Sequence, residues 1–171
     1  MARRSLRTQD PDTGDVLLIE EDRYEVLERC PCGKEALHVR WFLLGEGNVQ
    51  NARFQQEAVL VKEWDDRGEL WWWFGRRIAL SDLCASRLRL PQALKLGLQN
   101  PPSRLFYEGR FYRLENAADP VPEAGGDPAS LTVWEYVDSE ETESVLLEMS
   151  SDGEAVAYHG AYYDPELIKT L

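Results

Sequence analysis

Cysteine and histidine are the side chains of this sequence from which a zinc site could be built. The chain has three cysteines and two histidines, and the possible ligands are Cys30, Cys32, His38 and Cys84. Three thiolates and one imidazole would make a zinc site of ordinary composition. However, the Cys-Pro-Cys at 30–32 is shorter than the Cys-x-x-Cys whose turn a bound zinc organises. We therefore predict no metal site and no other cofactor.

Carboxylates and His159 are the candidates for acid-base chemistry. The acids Glu63, Glu148, Glu69 and Glu154 occur at matching places in the two halves of the chain and could form a catalytic pair. Glu69 and Glu154 stand next to glycines of expected hairpin turns, where acids are ordinarily solvated. His159 fits a half-exposed strand residue better than a general base. The sequence also lacks the common hydrolase, phosphate-loop, dinucleotide and metalloprotease motifs. These observations favour a non-catalytic protein without excluding an enzyme.

Tryptophan next to arginine offers a third kind of chemistry. Residues 68–75 read GELWWWFG, and Arg76 and Arg77 follow directly. Arginine beside an exposed tryptophan can stack a nucleobase or hold a phosphate. The arginines could instead pair with acids of the second half, and the net charge favours that interpretation. The candidate binding surface consists of Trp72, Phe74, Arg76, Arg77 and His159.

Charge is distributed unevenly along the chain. Of the net charge of −12, residues 1–100 carry 15 Lys and Arg against 16 Asp and Glu, whereas residues 101–171 carry 4 against 15. An acidic surface repels phosphate backbones and anionic membranes, and it can attract a basic partner. We therefore expect no nucleic-acid binding, and a protein partner that could use the acids Glu140, Glu141 and Glu143. Nothing in the sequence defines the oligomeric state.

The N-terminal segment and the cysteine count bear on location. Residues 1–15 contain three arginines but no apolar core of the kind found in a secretory signal. No apolar run approaches the ~20 residues of a membrane helix, and an odd number of cysteines favours a reducing compartment. We expect a cytoplasmic protein without direct membrane insertion, whose residues 1–12 form a flexible arm.

The elements that must position these residues are β-strands. Runs rich in Val, Leu, Tyr and Trp recur between clusters of Gly, Asp and Pro, which is typical of strands joined by turns. The predicted strands are Val16–Glu20, Arg23–Arg29, Ala36–Leu44, Phe54–Trp64, Glu69–Phe74, Arg104–Tyr107, Arg110–Asn116, Leu131–Val137, Ser144–Met149 and Glu154–His159. A short turn of helix is expected at Asp164–Leu171.

The two series of strands resemble each other. EDRYEVLE at 21–28 matches EGRFYRLE at 108–115, Trp41 matches Trp134, LVKEW at 60–64 matches VLLEM at 145–149, and the Gly-Glu turn before each last strand recurs. We therefore predict a mainly β protein built from two tandem antiparallel meander or barrel-like repeats, 13–80 and 104–171, packed as one body. Residues 81–103 would form a helical connector. Apolar pairs spaced by three, Tyr24 with Leu27 and Phe111 with Leu114, require a bulge or burial on both faces.

The four consecutive aromatics at 71–74 would place aromatic side chains on both faces of a strand, so both faces need to be covered. Alternation places Trp71 and Trp73 on one face, which we assign to the shared core, and Trp72 and Phe74 on the other. Ser81–Leu98, read as two short helical turns broken by Pro91, is expected to cover that second face. If it does not, Trp72 and Phe74 form an exposed binding surface.

Three stretches resemble a known family. GDVLLIEEDRYEVLER at 14–29, LTVWEYVD at 131–138 and VLLEMSSDGEAVAYHGAYYDPELI at 145–168 resemble the bacterial domain-of-unknown-function family 4178. Tyr158-His159-Gly160 fits the family's closing motif, whereas Leu147-Glu148 lacks its spacer residue. The resemblance implies an accessory role alongside envelope-stress and membrane-remodelling proteins, and it implies no catalytic residues.

Two functional hypotheses remain open at this point. The first is a soluble, non-enzymatic protein-interaction module that uses the Trp72 and Phe74 face or the acidic second half. The second is a small-ligand-binding or enzymatic domain with a cleft between the repeats, lined by Trp72, Arg76, Arg77 and His159. Mimicry of nucleic acid by the acidic half is a weaker third possibility.

Overall fold

β-Strands form most of the protein. The structure is a computed structural model that describes residues 4–6, 9–32, 38–49, 52–96, 101–121, 131–150 and 154–171. Its strands are β1 (Arg4–Ser5), β2 (Val16–Ile19), β3 (Asp22–Cys32), β4 (His38–Val49), β5 (Ala52–Trp64), β6 (Leu70–Ile78), β7 (Cys84–Ala85), β8 (Leu88–Arg89), β9 (Arg104–Tyr107), β10 (Arg110–Val121), β11 (Leu131–Asp138), β12 (Ser144–Ser150), β13 (Ala155–Tyr163) and β14 (Lys169–Thr170). The α-helix α1 (Leu90–Lys95) and 3₁₀ turns at Leu80–Asp82 and Pro165–Leu167 complete the described elements. The prediction of a mainly β protein is confirmed.

The chain divides into two compact units. Unit 1 comprises Met1–Arg76 and Tyr162–Leu171, and unit 2 comprises Arg77–Ala161. The boundaries fall inside β6 and inside β13. The C-terminal segment therefore belongs to unit 1, whereas the sequence placed it in the second repeat.

Unit 1 contains an antiparallel ladder in the order β1, β14, β2, β3, β4, β5, β6. The expectation of a flexible arm at residues 1–12 is wrong for residues 4–6, because β1 pairs with β14 and Leu6 is buried. The backbone N–H of Leu6 donates to the carbonyl of Ile168, and the indole Nε1 of Trp41 donates to the carbonyl of Pro11. These contacts hold the described part of the arm on the unit 1 core.

Unit 2 contains an antiparallel ladder in the order β13, β12, β11, β10, β9, β7, β8. The described residues of the connector hold the 3₁₀ turn at Leu80–Asp82 and the helix α1, and the short strands β7 and β8, which were not predicted, lie between them. Pro91 does not break a helix; it lies in the first turn of α1, where its fixed φ and missing N–H are tolerated. Among the described residues, no helix is long and apolar enough to cross a membrane.

Bulges occur in β3, at the apolar pair that predicted one, and in β10, one residue beyond the pair Phe111 and Leu114. Leu27 is the extra residue of β3, and Glu115 is the extra residue of β10. The bulge turns the Leu27 side chain towards solvent, where it is 46% exposed. In β10 the exposed aromatic is Phe111, at 65%, and the neighbouring Tyr112 is buried instead. The irregularity predicted for Tyr24 and Leu27 is thus present, whereas Phe111 to Leu114 pairs in regular register, and neither Leu27 nor Phe111 enters a core.

Each meander begins with the same kind of hairpin turn. Glu20 and Glu21 connect β2 to β3 with φ of 51° and 72°, and Glu108 and Gly109 connect β9 to β10 with φ of 47° and 81°. Two consecutive positive φ values are those of a type I′ turn, whose twist matches that of the flanking strands. At the other end of the chain, Asp164 caps the 3₁₀ turn by accepting from the backbone N–H of Glu166. That turn and β14 occupy the place of the predicted C-terminal helix.

Candidate functional site

Trp72 and Phe74 lie in the core of unit 1 and not on a surface. Their exposed fractions are 0% and 1%. Trp72 packs against Trp41 with ring centroids 5.2 Å apart, and Phe74 meets Tyr24 edge-on at 5.0 Å. Because β4 and β5 lie between β3 and β6 in the ladder, the contact of Tyr24 with Phe74 requires the sheet of unit 1 to curve around its own core.

The assignment of the β6 faces was therefore wrong. Trp72 and Phe74 face the core, while Trp73, also buried, lies on the opposite face with its ring over Gly75. The connector residues predicted to cover Trp72 belong to a different cluster, in which Leu83 and Leu90 are buried within unit 2. Alternation alone could not select a face, because both faces of β6 carry buried aromatics.

Arg76 forms a network within unit 1. Its Nε donates to the hydroxyl of Tyr24 at 2.8 Å, and its guanidinium pairs with Glu20 at 3.3 Å and Asp22 at 3.2 Å. The hydroxyl of Tyr163 donates to Glu20 at 2.6 Å. These partners are in unit 1, so the expected pairing of Arg76 with acids of the second half is wrong. Its guanidinium braces the β2–β3 hairpin against β6, which is a structural role.

Arg77, the other arginine of the predicted surface, is exposed in β6. Its neighbour Arg76 is committed to Tyr24 and the hairpin acids, and Trp72 is buried beneath the sheet. The predicted stack of arginine on an exposed tryptophan is therefore not formed by these residues.

His159 takes part in a hydrogen-bonded cluster in unit 2. Its Nε2 lies 3.2 Å from the hydroxyl of Tyr112 and 3.3 Å from a carboxylate oxygen of Glu143, and the Tyr112 hydroxyl donates to that same oxygen at 3.1 Å. Burial, which is the larger cause, and the nearby Glu143 raise the pKa of Tyr112 above its ordinary value of 10. A phenol held in its neutral form is a poor nucleophile, which favours a structural role for the cluster.

The predicted metal ligands are only partly described. Cys30 and Cys32 lie in β3 and His38 in β4, with Cys32 opposite His38 in the ladder, but their side chains lie outside the described residues. Cys84 is a free cysteine in β7. Within the described part of the chain, no group of three or more Cys, His, Asp and Glu side chains could hold a metal ion.

Three acids of the turn after β11 have arginine partners within unit 2. The buried carboxylate of Asp138 accepts from the backbone and hydroxyl of Thr142, each at 2.8 Å, and from the backbone N–H of Glu143 at 3.1 Å. Arg110 approaches both Asp138 and Glu143, and Arg113 pairs with Glu141 at 2.9 Å. This part of the acidic second half therefore has partners of its own.

Replacing Asp138 by asparagine is expected to lower the free energy of unfolding by about 1–3 kcal/mol at pH 7. Burial alone would raise the pKa of Asp138, but the hydrogen bonds from Glu143 and Thr142 outweigh it and hold that pKa below 3.8. A lowered pKa stabilises the fold above pH 3.8, and this contribution disappears as the pH falls through the folded-state value. Urea unfolding at several pH values should show the difference between the two proteins shrinking below about pH 4. Asp66→Asn, at an exposed turn position, should leave both the stability and its pH dependence unchanged.

A different feature of unit 1 has the properties of a binding site. A cavity of about 370 Å³ opens beside the β5–β6 hairpin and is lined by Glu63, Trp64, Asp65, Trp71 and Tyr162. We call it the hairpin groove. Trp64 and Tyr162 are 52% and 40% exposed, and Trp71 is partly exposed. Its volume lies within the range of roughly 300–1,000 Å³ typical of small-ligand sites.

The turn of the hairpin is built around Asp65. Its carboxylate accepts from the backbone N–H groups of Arg67 and Glu69, each at 2.9 Å. Gly68, at φ 77°, supplies the left-handed residue and donates to the carbonyl of Asp65 at 3.0 Å. An aspartate that hydrogen-bonds to the backbone two residues on is a common device for fixing a turn. The backbone hydrogen bond from Glu69, the largest influence, and that from Arg67 hold the pKa of Asp65 below 3.8, so this carboxylate is ionised at neutral pH.

Two further hydrogen bonds orient the rings of the groove. Glu63 and Trp71 are cross-strand partners, and the indole Nε1 of Trp71 donates to Asp65 at 3.2 Å. The hydroxyl of Tyr162, from β13, donates to Glu63 at 2.7 Å. Each carboxylate therefore fixes one aromatic ring, and the groove combines aromatic surface with two negative charges.

The sequence only partly indicated this site. Trp71 was assigned together with Trp73 to the core face by alternation, and Trp64 was treated only as the end of a strand. The signal that could have found them is the Asp-Asp-Arg-Gly turn at 65–68, which pairs Glu63 with Trp71 once the register is set. Tyr162 is distant along the chain, so no local pattern places it beside Glu63.

Comparisons with known proteins provide no relative from which a function could be transferred. No family model, no curated protein and no solved structure matches this chain.

Proposed function

We propose that the protein is a non-enzymatic interaction module that binds a segment of another protein in the hairpin groove of unit 1. The observation that carries the proposal is an open groove of about 370 Å³ with Trp64, Trp71 and Tyr162 in its lining. Tryptophan and tyrosine dominate the binding energy of many protein interfaces, because they bury a large area at a small loss of side-chain entropy. The groove is held open before binding by the hydrogen bonds to Glu63 and Asp65.

The other surfaces considered from the sequence have weaker support. Trp72 and Phe74 are inaccessible in the core of unit 1. The acids Glu141 and Glu143 of unit 2 already pair with arginines of that unit. A partner that used these acids would first have to displace the internal ion pairs.

We also propose that the two units descend from one duplicated meander. Three features support this: the type I′ hairpins, the bulges at Leu27 and Glu115, and the equivalent ladder positions of Trp41 and Trp134. At the β12–β13 hairpin of unit 2, the described cross-strand pairs nearest the turn are Glu148 with Val156 and Met149 with Ala155, and these four residues include no aromatic ring.

Site-specific photocrosslinking in cells that express the protein natively tests the proposed function. A photoreactive phenylalanine at position 64 should give an adduct with a discrete protein, and the same probe at exposed position 111 of unit 2 should not. The adduct from position 64 should disappear in a Trp71→Ala background. The proposal fails if both positions give the same adducts, or if the Trp71→Ala background leaves the adduct unchanged.

The identity of the crosslinked protein also tests the family resemblance. The resemblance to the bacterial family 4178 implies a partner among envelope-stress and membrane-remodelling proteins. An adduct with such a protein would support that assignment. An adduct with an unrelated protein would still support an interaction module, but it would contradict the role alongside envelope-stress proteins that the resemblance implies.

A further inference from the structure

We propose that the group bound in the hairpin groove is a quaternary ammonium, specifically the trimethylated side chain of a lysine in the partner segment. The inference rests on the proposed function and adds the chemistry of the recognised group. Its basis is the combination of partly exposed aromatic rings, Trp71 and Tyr162, with the two carboxylates Glu63 and Asp65.

Charge is the first argument for a cation. Asp65 is ionised at neutral pH, and Glu63 stands opposite Trp71 in the same groove. Two positive charges are near the groove: the ammonium of Lys62, which is paired with Asp10 at 2.6 Å, and Arg67 of the turn, which interacts with Asp65 but does not line the groove. The lining of the groove is therefore negative, and a cation entering it gains favourable interactions with both carboxylates.

The existing hydrogen bonds argue for a cation without N–H donors. Glu63 accepts from the hydroxyl of Tyr162, and Asp65 accepts from two backbone N–H groups and from the indole of Trp71. An ammonium or guanidinium group would compete with these donors for the carboxylate oxygens, and it would also give up strong hydration on entry. A trimethylated ammonium requires only charge and aromatic surface, which the groove supplies.

Aromatic rings supply the remaining attraction. Cations bind the faces of tryptophan and tyrosine within about 6 Å of the ring centre, and aromatic cages for methylated lysine are a known use of this interaction. The same hairpin shows that its rings accept a cation, because the Nζ of Lys62 lies 4.9 Å from the ring centre of Trp64. Trp71 and Tyr162 are the further aromatic residues that line the groove.

The test is a titration of the full chain with small probes. Binding is measured by calorimetry and by NMR of the indole N–H groups of Trp64 and Trp71. Choline is the cationic probe, and 3,3-dimethyl-1-butanol is its neutral isostere. Choline should bind with a Kd of roughly a millimolar, as expected for a few weak contacts. The neutral isostere, ammonium and guanidinium should each bind at least about tenfold more weakly. A peptide with one trimethyllysine should bind more tightly than choline, and its unmethylated form should not.

Variants assign the binding to the groove. Trp71→Ala should weaken choline binding by about tenfold or more, and Glu63→Gln by roughly threefold to tenfold. Phe111→Ala and Asp66→Asn are the matched controls for loss of an exposed aromatic and of a carboxylate, and neither should change binding. Tyr162→Phe keeps the ring but frees Glu63, so choline binding should change by less than about twofold while guanidinium binding improves. If Trp71→Ala does not fold, Glu63→Gln and Tyr162→Phe decide the question.

The outcomes separate this inference from the proposed function. If choline and its neutral isostere bind equally and the position 64 adduct is retained, the inference of a cationic ligand is wrong. The proposed function as an interaction module is unaffected by that result. If a trimethyllysine peptide binds no better than choline, the bound group is a free small molecule and not a lysine side chain of a partner protein. Binding of none of the probes, or binding that Glu63→Gln leaves unaltered, would overturn the inference entirely.

Discussion

Replacing Trp72 by alanine is expected to lower the free energy of unfolding by about 3–5 kcal/mol. The side chain is fully buried in unit 1, with its ring tilted against Trp41 at 5.2 Å and the Nζ of Lys62 at 5.6 Å from its centre. Alanine would leave a large cavity in the middle of this core, and the neighbouring rings cannot collapse fully into it. Urea unfolding followed by circular dichroism and by tryptophan fluorescence measures the change.

Two other substitutions provide controls for this result. The indole Nε1 of Trp72 has no hydrogen-bond partner, so Trp72→Phe should cost clearly less than Trp72→Ala, although it leaves a smaller cavity. Phe111→Ala, at a side chain 65% exposed, should change the stability by less than about 1 kcal/mol. A loss below about 1 kcal/mol for Trp72→Ala would mean that Trp72 is accessible, which was the alternative that the sequence left open.

Replacing Gly45 by alanine is expected to destabilise the protein by about 1–3 kcal/mol through steric overlap. Gly45 in β4 lies opposite Tyr24 in β3, and a Cβ at this position would come within 2.6 Å of the tyrosine ring. The ring cannot simply move aside, because Phe74 packs against it and its hydroxyl holds Arg76. Thermal and urea unfolding of Gly45→Ala measure this effect directly.

A double-mutant cycle distinguishes this overlap from a general effect of alanine in β4. In a Tyr24→Leu background the obstructing ring is absent, so the additional effect of Gly45→Ala should fall below about 0.5 kcal/mol. An equal loss in both backgrounds would show that Tyr24 is not the cause. Such aromatic and glycine pairs across strands fix the register, because only one alignment leaves room for the ring.

The strands could be predicted from the sequence because turns and alternation are local signals. Type I′ turn positions and Gly-Glu turns bound the hairpins, and the spacing of Tyr24 and Leu27 correctly indicated a bulge. The pairing of β1 with β14 could not be predicted in this way. It joins residues from opposite ends of the chain, and neither segment carries a pattern that identifies the other.

The candidate site was harder to predict because its signals were ambiguous or remote. In β6 the apolar residues fill both faces, so alternation could not distinguish the core face of Trp72 from the groove face of Trp71. For that reason Trp71 was wrongly assigned to the core, whereas it lines the groove. Tyr162 reaches Glu63 only because β13 enters unit 1 at its C-terminal end, a fact of topology that no local sequence contains.

The pairing of β14 with both β1 and β2 also imposes an order on biosynthesis. Lys169 and Thr170 leave the ribosome only after all of unit 2, Arg77–Ala161, has been made. Domains commonly fold as they emerge, so unit 2 can complete its ladder while unit 1 still lacks the strand between β1 and β2. During that interval the outer edge of β2 is open to pairing with other nascent chains, until β14 is translated and closes it.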